Sequence, residues 1–326
     1  MEREAFCRQS TVLVVAGKGG VGKTTVTAAL SRMAADVGLE VLVVALDSSG
    51  ALPSLFGSED GFSYDEVSVY KAESGGSVRA RVITPDDALL EYLEEHGLRR
   101  VARRLVSTGV LDVVATAIPG IREILVLGKV KQIERAEGAD LVLLDAPATG
   151  HAVRFLTSAS GLLDAARGGP LRQQAADVVE MLRDPARCQV MLVTIPEETP
   201  VNELIETAYR FEDEVGVKLT PVVVNACYEQ MDGLDTDVGA LAVAARRHLE
   251  EDERAAMAAA ASFRLARQRL QDEQLRRLES GLPLPQIRLP YRFRADLGPA
   301  DVAPLAEALG RGIDALGASP RRRDAV

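Results

Sequence analysis

The chain has 326 residues, 47% hydrophobic and 26% charged, with a formal net charge of −10. That acidic balance disfavours nonspecific binding to nucleic acid or anionic lipid, and the arginines at 99, 100, 103 and 104 read as a solvated helix face. The longest apolar runs are strand-sized, far below the ~20 residues that span a bilayer, and the opening MEREAFCRQS lacks the apolar stretch of a signal peptide. The expectation is a cytoplasmic protein with no integral membrane segment and no nucleic-acid partner. Cys7, Cys188 and Cys227 are far apart with no C-x-x-C, and the histidines are only His96, His151 and His248. Neither a disulfide frame nor a zinc or iron–sulfur site is suggested.

In chain order, Thr11 to Ala16 (TVLVVA) is a β-branched apolar run with the length of a buried parallel strand. It leads into Gly17-Lys18-Gly19-Gly20-Val21-Gly22-Lys23-Thr24, a complete G-x-x-x-x-G-K-[ST] phosphate loop. Val26, Ala29, Leu30, Met33, Ala34 and Val37 then recur at helical spacing, and Gly38 can close that helix. Strand, glycine loop and helix is the order such a site requires. The glycines let backbone N–H groups and the helix N-terminus face phosphates. Lys23 can reach the β and γ oxygens, and the Thr24 hydroxyl can face Mg²⁺. The chain holds six lysines against thirty-two arginines, and two of the six lie in this loop, where a compact ammonium fits between phosphate oxygens and a guanidinium does not. The pattern points to an ATP hydrolase.

Further strand-like runs occur at 41–46, 141–144, 190–194, 221–224 and 287–289, separated mostly by helical patterns. The alternation predicts an α/β fold, a P-loop NTPase with a mainly parallel doubly wound sheet whose ligand sits at the carboxyl ends of its strands. Residues 67 to 84 alternate around Ser74-Gly75-Gly76 as an edge hairpin, and Thr84-Pro85 then starts a helix. Helical insertions are expected near 87–138, 157–183 and 239–282, the last ending in a charged stretch read as a solvated face. Leu305, Leu309, Ile313 and Leu316 make a stripe that suits a last helix packing on the sheet, or a membrane-surface helix.

Hydrolysis of a γ-phosphate needs a positioned water, a metal and positive charge on the equatorial oxygens. Asp47, at the end of VLVVALD, can orient the water, and Asp145, at the end of LVLLD, can support Mg²⁺. Either aspartate can instead be a helix cap. The loop Gly17 to Thr25 (GKGGVGKTT) and the stretch Asp145 to Arg154 (DAPATGHAVR) resemble the deviant Walker A loop and switch II of the ArsA-like ATPases. That family includes the arsenite-pump ATPase and the ATPase that targets tail-anchored membrane proteins. Pro119-Gly120, Thr194-Ile195-Pro196-Glu197, Val224-Asn225 and Leu289-Pro290 continue the resemblance in the expected order, so it spans nearly the whole chain as one domain, 1–326.

The resemblance implies a cytoplasmic Mg²⁺-dependent ATPase that dimerises face to face, as a homodimer or with a related ATPase subunit, and engages a protein client or membrane-protein partner. It implies that Lys18 crosses to the partner's nucleotide and that Lys23 and Thr24 act in cis. Asp47 would place the water, and Asp145 would support the metal. The loop residues Gly17, Gly19, Gly20, Val21, Gly22 and Thr25 would cradle phosphate. Asn225 would read the adenine edge, with Pro290 and Tyr291 flanking the base. Read from its residues alone, Asn225 can equally be a strand-end asparagine satisfying backbone. His151 reads as a conformational lever.

Three departures stand out. Switch I is Asp47-Ser48-Ser49-Gly50, without the family's proline and histidine. No close cysteine set is present to bind arsenite, and no methionine-rich groove is visible. The expectation is a protein without zinc or iron that arsenite does not stimulate. Two other readings remain: a nonhydrolytic nucleotide-binding regulatory subunit, and a MinD- or ParA-like positioning ATPase.

Overall fold

The computed structural model describes residues 1–46, 50–95, 97, 100, 120–165 and 168–317. Its centre is one sheet with strand order β3-β4-β2-β5-β1-β6-β8-β9, and β7 pairs with β6 outside that path. The strands are β1 (Val12–Gly17), β2 (Glu40–Ala45), β3 (Val67–Lys71), β4 (Ser77–Val82), β5 (Leu141–Ala148), β6 (Cys188–Thr194), β7 (Lys218–Leu219), β8 (Val222–Cys227) and β9 (Gln286–Pro290). All pairings are parallel except β3 with β4, the edge hairpin that the alternating sequence predicts. The fold class is the one expected: a mixed α/β molecule with a mainly parallel sheet.

The helices are α1 (Arg3–Cys7), α2 (Lys23–Asp36), α3 (Leu52–Leu55), α4 (Pro85–Glu95), α5 (Ile121–Arg135), α6 (Thr149–Ala165), α7 (Pro170–Arg183), α8 (Glu198–Arg210), α9 (Val238–Ala244), α10 (Glu251–Gly281) and α11 (Pro299–Leu316). Successive strand side chains point to opposite faces, so β1 feeds two cores at once. Val12, Val14 and Ala16 join the side covered by α5 to α8, while Leu13 and Val15 join the side covered by α1, α2 and α11. Burial on both faces explains why the central strands are continuous apolar runs.

Leu305, Leu309 and Ile313 of α11 are buried against that second face, where each contributes about 1.5–3 kcal/mol. The C-terminal stripe is therefore core, and among the described residues no helix is long and apolar enough to cross a membrane. Thr84 caps α4 by accepting from the Asp87 N–H at 3.2 Å. The charged stretch of α10 differs from its expected solvated face: Gln268, Gln271, Gln274, Leu275 and Leu278 are buried along one side. The arginines at 99, 103 and 104 lie outside the described residues.

Candidate active site

The sheet's carboxyl edge opens where β1 lies between β5 and β6, the point at which the winding of the fold reverses and where ligands of such sheets bind. At Gly17 a side chain would collide with the Val193 carbonyl of β6, so glycine lets the chain leave β1 tight against its neighbour. Gly20 and Gly22 have φ of 83° and 88°, the left-handed region, and Gly22 caps α2. The loop thus ends on the N-terminus of a fourteen-residue helix, which favours anions.

Asp145 sits in β5 in register with Val15 of β1 and Ala45 of β2. The Thr24 hydroxyl donates to its Oδ2 at 2.7 Å. Thr27, one helical turn on, donates to the Lys23 carbonyl at 3.0 Å and lies 3.5 Å from Oδ1. Lys23 donates to the Lys18 carbonyl at 3.2 Å, which folds its ammonium back over the loop. Burial lowers the Lys23 pKa, against the pull of Asp145. Burial likewise raises the Asp145 pKa, against the hydrogen bond from Thr24, the charge of Lys23 and Thr27. An ammonium and a carboxylate that are both desolvated, and only partly compensated by their mutual attraction, are characteristic of a site prepared for further charge.

Lys18 is turned elsewhere. Its ammonium meets Glu203 Oε1 of α8 at 2.6 Å. The second lysine of the loop is therefore separated from the first, and sequence reasoning did not anticipate its partner. Asp47 lies outside the described residues, two positions beyond the end of β2.

Beside the loop is a cleft of about 340 Å³ that brings Gly20, Val21, Gly22 and Thr25 together with Asn225, Pro290 and Tyr291. The Asn225 side-chain N–H₂ donates to the Val21 carbonyl at 3.0 Å, so the amide braces the loop and leaves its oxygen as an acceptor. Tyr228, Arg267 and Gln271 complete the wall. Tyr228, Tyr291 and Phe293 form an aromatic cluster with centroids 4.7 to 5.6 Å apart, and the Arg264 guanidinium lies 4.2 Å from the Tyr228 centroid. None of these additional residues carries a local motif. The run Tyr291-Arg292-Phe293-Arg294 was the one available signal, aromatic residues alternating with arginine.

Hydroxyl and carboxylate oxygens, without sulfur or imidazole, suit Mg²⁺, which takes one or two protein ligands and fills the rest of its shell with phosphate and water. Thr24 and Asp145 fit that role. Among the described residues no group of three or more histidine, cysteine, aspartate or glutamate side chains could hold a metal by itself. The three cysteines are buried, which pushes Cys7 and Cys188 up to about 12 and Cys227 to about 11. They remain thiols at neutral pH. His151 is exposed at the start of α6.

A glycine loop between a central parallel strand and a helix, with its threonine bonded to an aspartate of the neighbouring strand, defines the fold and phosphate site of the P-loop nucleoside triphosphatases. Residues 10–165 match the anion-transporting ATPase family. The chain is 33% identical over 219 residues to the ATPase BagA of Mycobacterium tuberculosis, covering 65% of this chain and 64% of that protein. It is 30% identical over 195 residues to the arsenical pump-driving ATPase of Escherichia coli, covering 59% of this chain and 30% of that one. It is 31% identical over 144 residues to the ATPase get3 of Schizosaccharomyces japonicus, covering 44% and 42%. Through this region the chain is similar to the ArsA-like ATPases. It spans less than two thirds of the length of each of these curated relatives.

Proposed function

We propose that this chain binds ATP with Mg²⁺ and hydrolyses it as one ATPase domain, in a dimer whose conformation follows the nucleotide. The observation that carries the reading is the group formed by Lys23, Thr24 and Asp145 at the head of α2. There a desolvated ammonium, a hydroxyl and a buried carboxylate converge on a helix N-terminus. Mg²⁺ supplies charge neutralisation on the β and γ oxygens when bound. Thr24 and Asp145 would hold it, Lys23 would meet the same oxygens, and the amides of residues 19 to 25 would cradle the phosphates. Asp47 would accept a hydrogen bond from the attacking water. The adenine would lie in the cleft of Asn225, Pro290 and Tyr291. There the free Asn225 oxygen can accept from the exocyclic amine of adenine and would face an unfavourable acceptor in guanine.

The same geometry supports the dimer. Lys23 lies over the loop in cis, while Lys18 is directed away from it onto Glu203 and, once released, would reach a nucleotide facing it from a second chain. A homodimer or a pair with a related ATPase subunit satisfies this equally. A protein client or membrane-protein partner on the helical elements, and a cytoplasmic setting, belong to the same reading.

The test is turnover of Mg²⁺-ATP by the purified chain and by Asp47→Asn, with nucleotide binding followed separately by a fluorescent ATP analogue. Wild-type phosphate release that depends on Mg²⁺, with Asp47→Asn binding normally but turning over at least about 10²-fold more slowly, is expected. Undiminished turnover in Asp47→Asn would remove that residue from the mechanism. Binding with no turnover in the wild type would make the chain a nucleotide-gated regulatory subunit instead.

A further inference from the structure

Lys18 and Glu203 are 185 positions apart, yet their side chains make one of the shortest charge-assisted contacts in the chain, 2.6 Å between Nζ and Oε1. Glu203 is not held there by a flexible segment. Val201, Leu204, Thr207 and Ala208 around it are buried, so α8 is fixed on the sheet and presents Glu203 to the loop from a rigid element. The acids just before it have other partners: Glu197 meets Arg267 at 3.5 Å and Glu198 meets Arg277 at 3.7 Å, both from α10. Glu203 takes the loop lysine.

The ammonium keeps further donors, but while it lies on Glu203 its charge is offset by that carboxylate and its place is set by α8, so opening the contact frees Lys18 to reach a nucleotide on a facing chain. We propose that Glu203 is a positioning residue that keeps Lys18 off the phosphates in the resting chain and releases it when nucleotide-loaded chains meet. The proposal rests on the reading that Lys18 serves the γ-phosphate. Both side chains are about a third or more exposed, 35% and 41%. Water and salt therefore screen the pair, and it works as a reversible catch, worth little enough that the charge of an incoming triphosphate overcomes it.

The experiment compares wild type, Glu203→Gln, Lys18→Ala and the double variant in steady-state ATP turnover at ~0.05 M and ~0.5 M salt. Binding of a fluorescent ATP analogue confirms that each chain is folded. Glu203→Gln keeps the shape and removes the charge, so it should turn over about 1.5- to 5-fold faster than wild type at low salt. That ratio should fall towards one at high salt, as screening opens the wild-type pair. Sedimentation with a nonhydrolysable ATP analogue should show Glu203→Gln dimerising at lower protein concentration than wild type. In the Lys18→Ala background, Glu203→Gln should change nothing, because the interaction it removes is already absent.

Lys18→Ala slow while Glu203→Gln is no faster than wild type would overturn the proposal, as would equal acceleration by Glu203→Gln with and without Lys18. Lys18→Ala as fast as wild type would instead overturn the premise that Lys18 serves the phosphates, and the catch with it.

Discussion

Asp145 is a carboxylate whose charge is opposed by its surroundings. Burial raises its pKa, and the hydrogen bond from Thr24 and the nearby Lys23 recover only part of that. The folded carboxyl therefore holds its proton to a higher pH than the unfolded one. In that window the folded state binds more protons, and the free energy of unfolding falls as pH rises through it. Asp145→Asn keeps the acceptor for Thr24 and removes the charge, so the nucleotide-free variant should melt at higher temperature than wild type at neutral pH. The Mg²⁺ concentration needed for turnover should rise by about 10- to 100-fold. A melting scan and a Mg²⁺ titration check both, and a variant that melts lower with unchanged Mg²⁺ dependence would show the carboxylate to be structural. The loop, Lys23, Thr24 and Asp145 were legible in the sequence because their chemistry is local to two strand ends. Thr27 was legible in principle, since i+3 from Thr24 puts both hydroxyls on one helix face. Glu203 was not, because only the parallel pairing of β1 with β6 brings α8 beside the loop.

Among the elements, α10 shows how a polar stripe can conceal a packed face. Gln268, Gln271, Leu275 and Leu278 recur at spacings of three and four, but glutamines at two of those positions make the stripe read as solvated. Their amides are used on backbone. Gln268 donates to the Glu229 carbonyl at 2.9 Å. Gln271 accepts from the Tyr228 N–H at 2.8 Å and donates to the Ala226 carbonyl at 3.2 Å. Ala226 has φ of 58°, an uncommon conformation for a residue with a side chain, and it directly follows Asn225. Gln271 thus holds the strained turn that shapes the base cleft.

Gln271→Ala leaves two part-buried backbone groups without this partner, at a cost of at most about 1–3 kcal/mol each. It should lower the melting temperature and weaken an ATP analogue, while leaving the affinity for inorganic tripolyphosphate unchanged, because the phosphate loop is untouched. Equal losses for both ligands would mean that α10 supports the loop as well as the base. The opposite end of α10 is different: Met257 and Phe263 are 51% and 65% exposed. Met257 joins Met231, Leu234, Val238, Leu241 and Leu249 in lining an apolar cleft of about 560 Å³ between α9 and α10. Two methionines distant in sequence line the same cleft, which a scan for a methionine-rich run cannot detect.

At the scale of the whole molecule, the mainly parallel sheet was legible because buried strands between amphipathic helices leave a strong period in the sequence, whereas the strand order leaves no local trace. The short β7 and α3 left none, at two and four residues. Among the described residues the two loop lysines are divided: Lys23 is folded over the loop, and Lys18 is on Glu203. A cation supplied from another chain to a γ-phosphate contributes roughly 10³- to 10⁵-fold in rate. In the proposed dimer two chains build each competent site, with Lys18 and Asp47 acting on the same nucleotide from opposite subunits.

Mixing Lys18→Ala with Asp47→Asn tests this most directly. In the mixed dimer, the site built on the Lys18→Ala chain keeps its own Asp47 and receives Lys18 from the other subunit. ATP turnover should return on mixing two chains that are each nearly inactive. Turnover that stays at the level of the separate chains, although mixed dimers demonstrably form, would contradict the account.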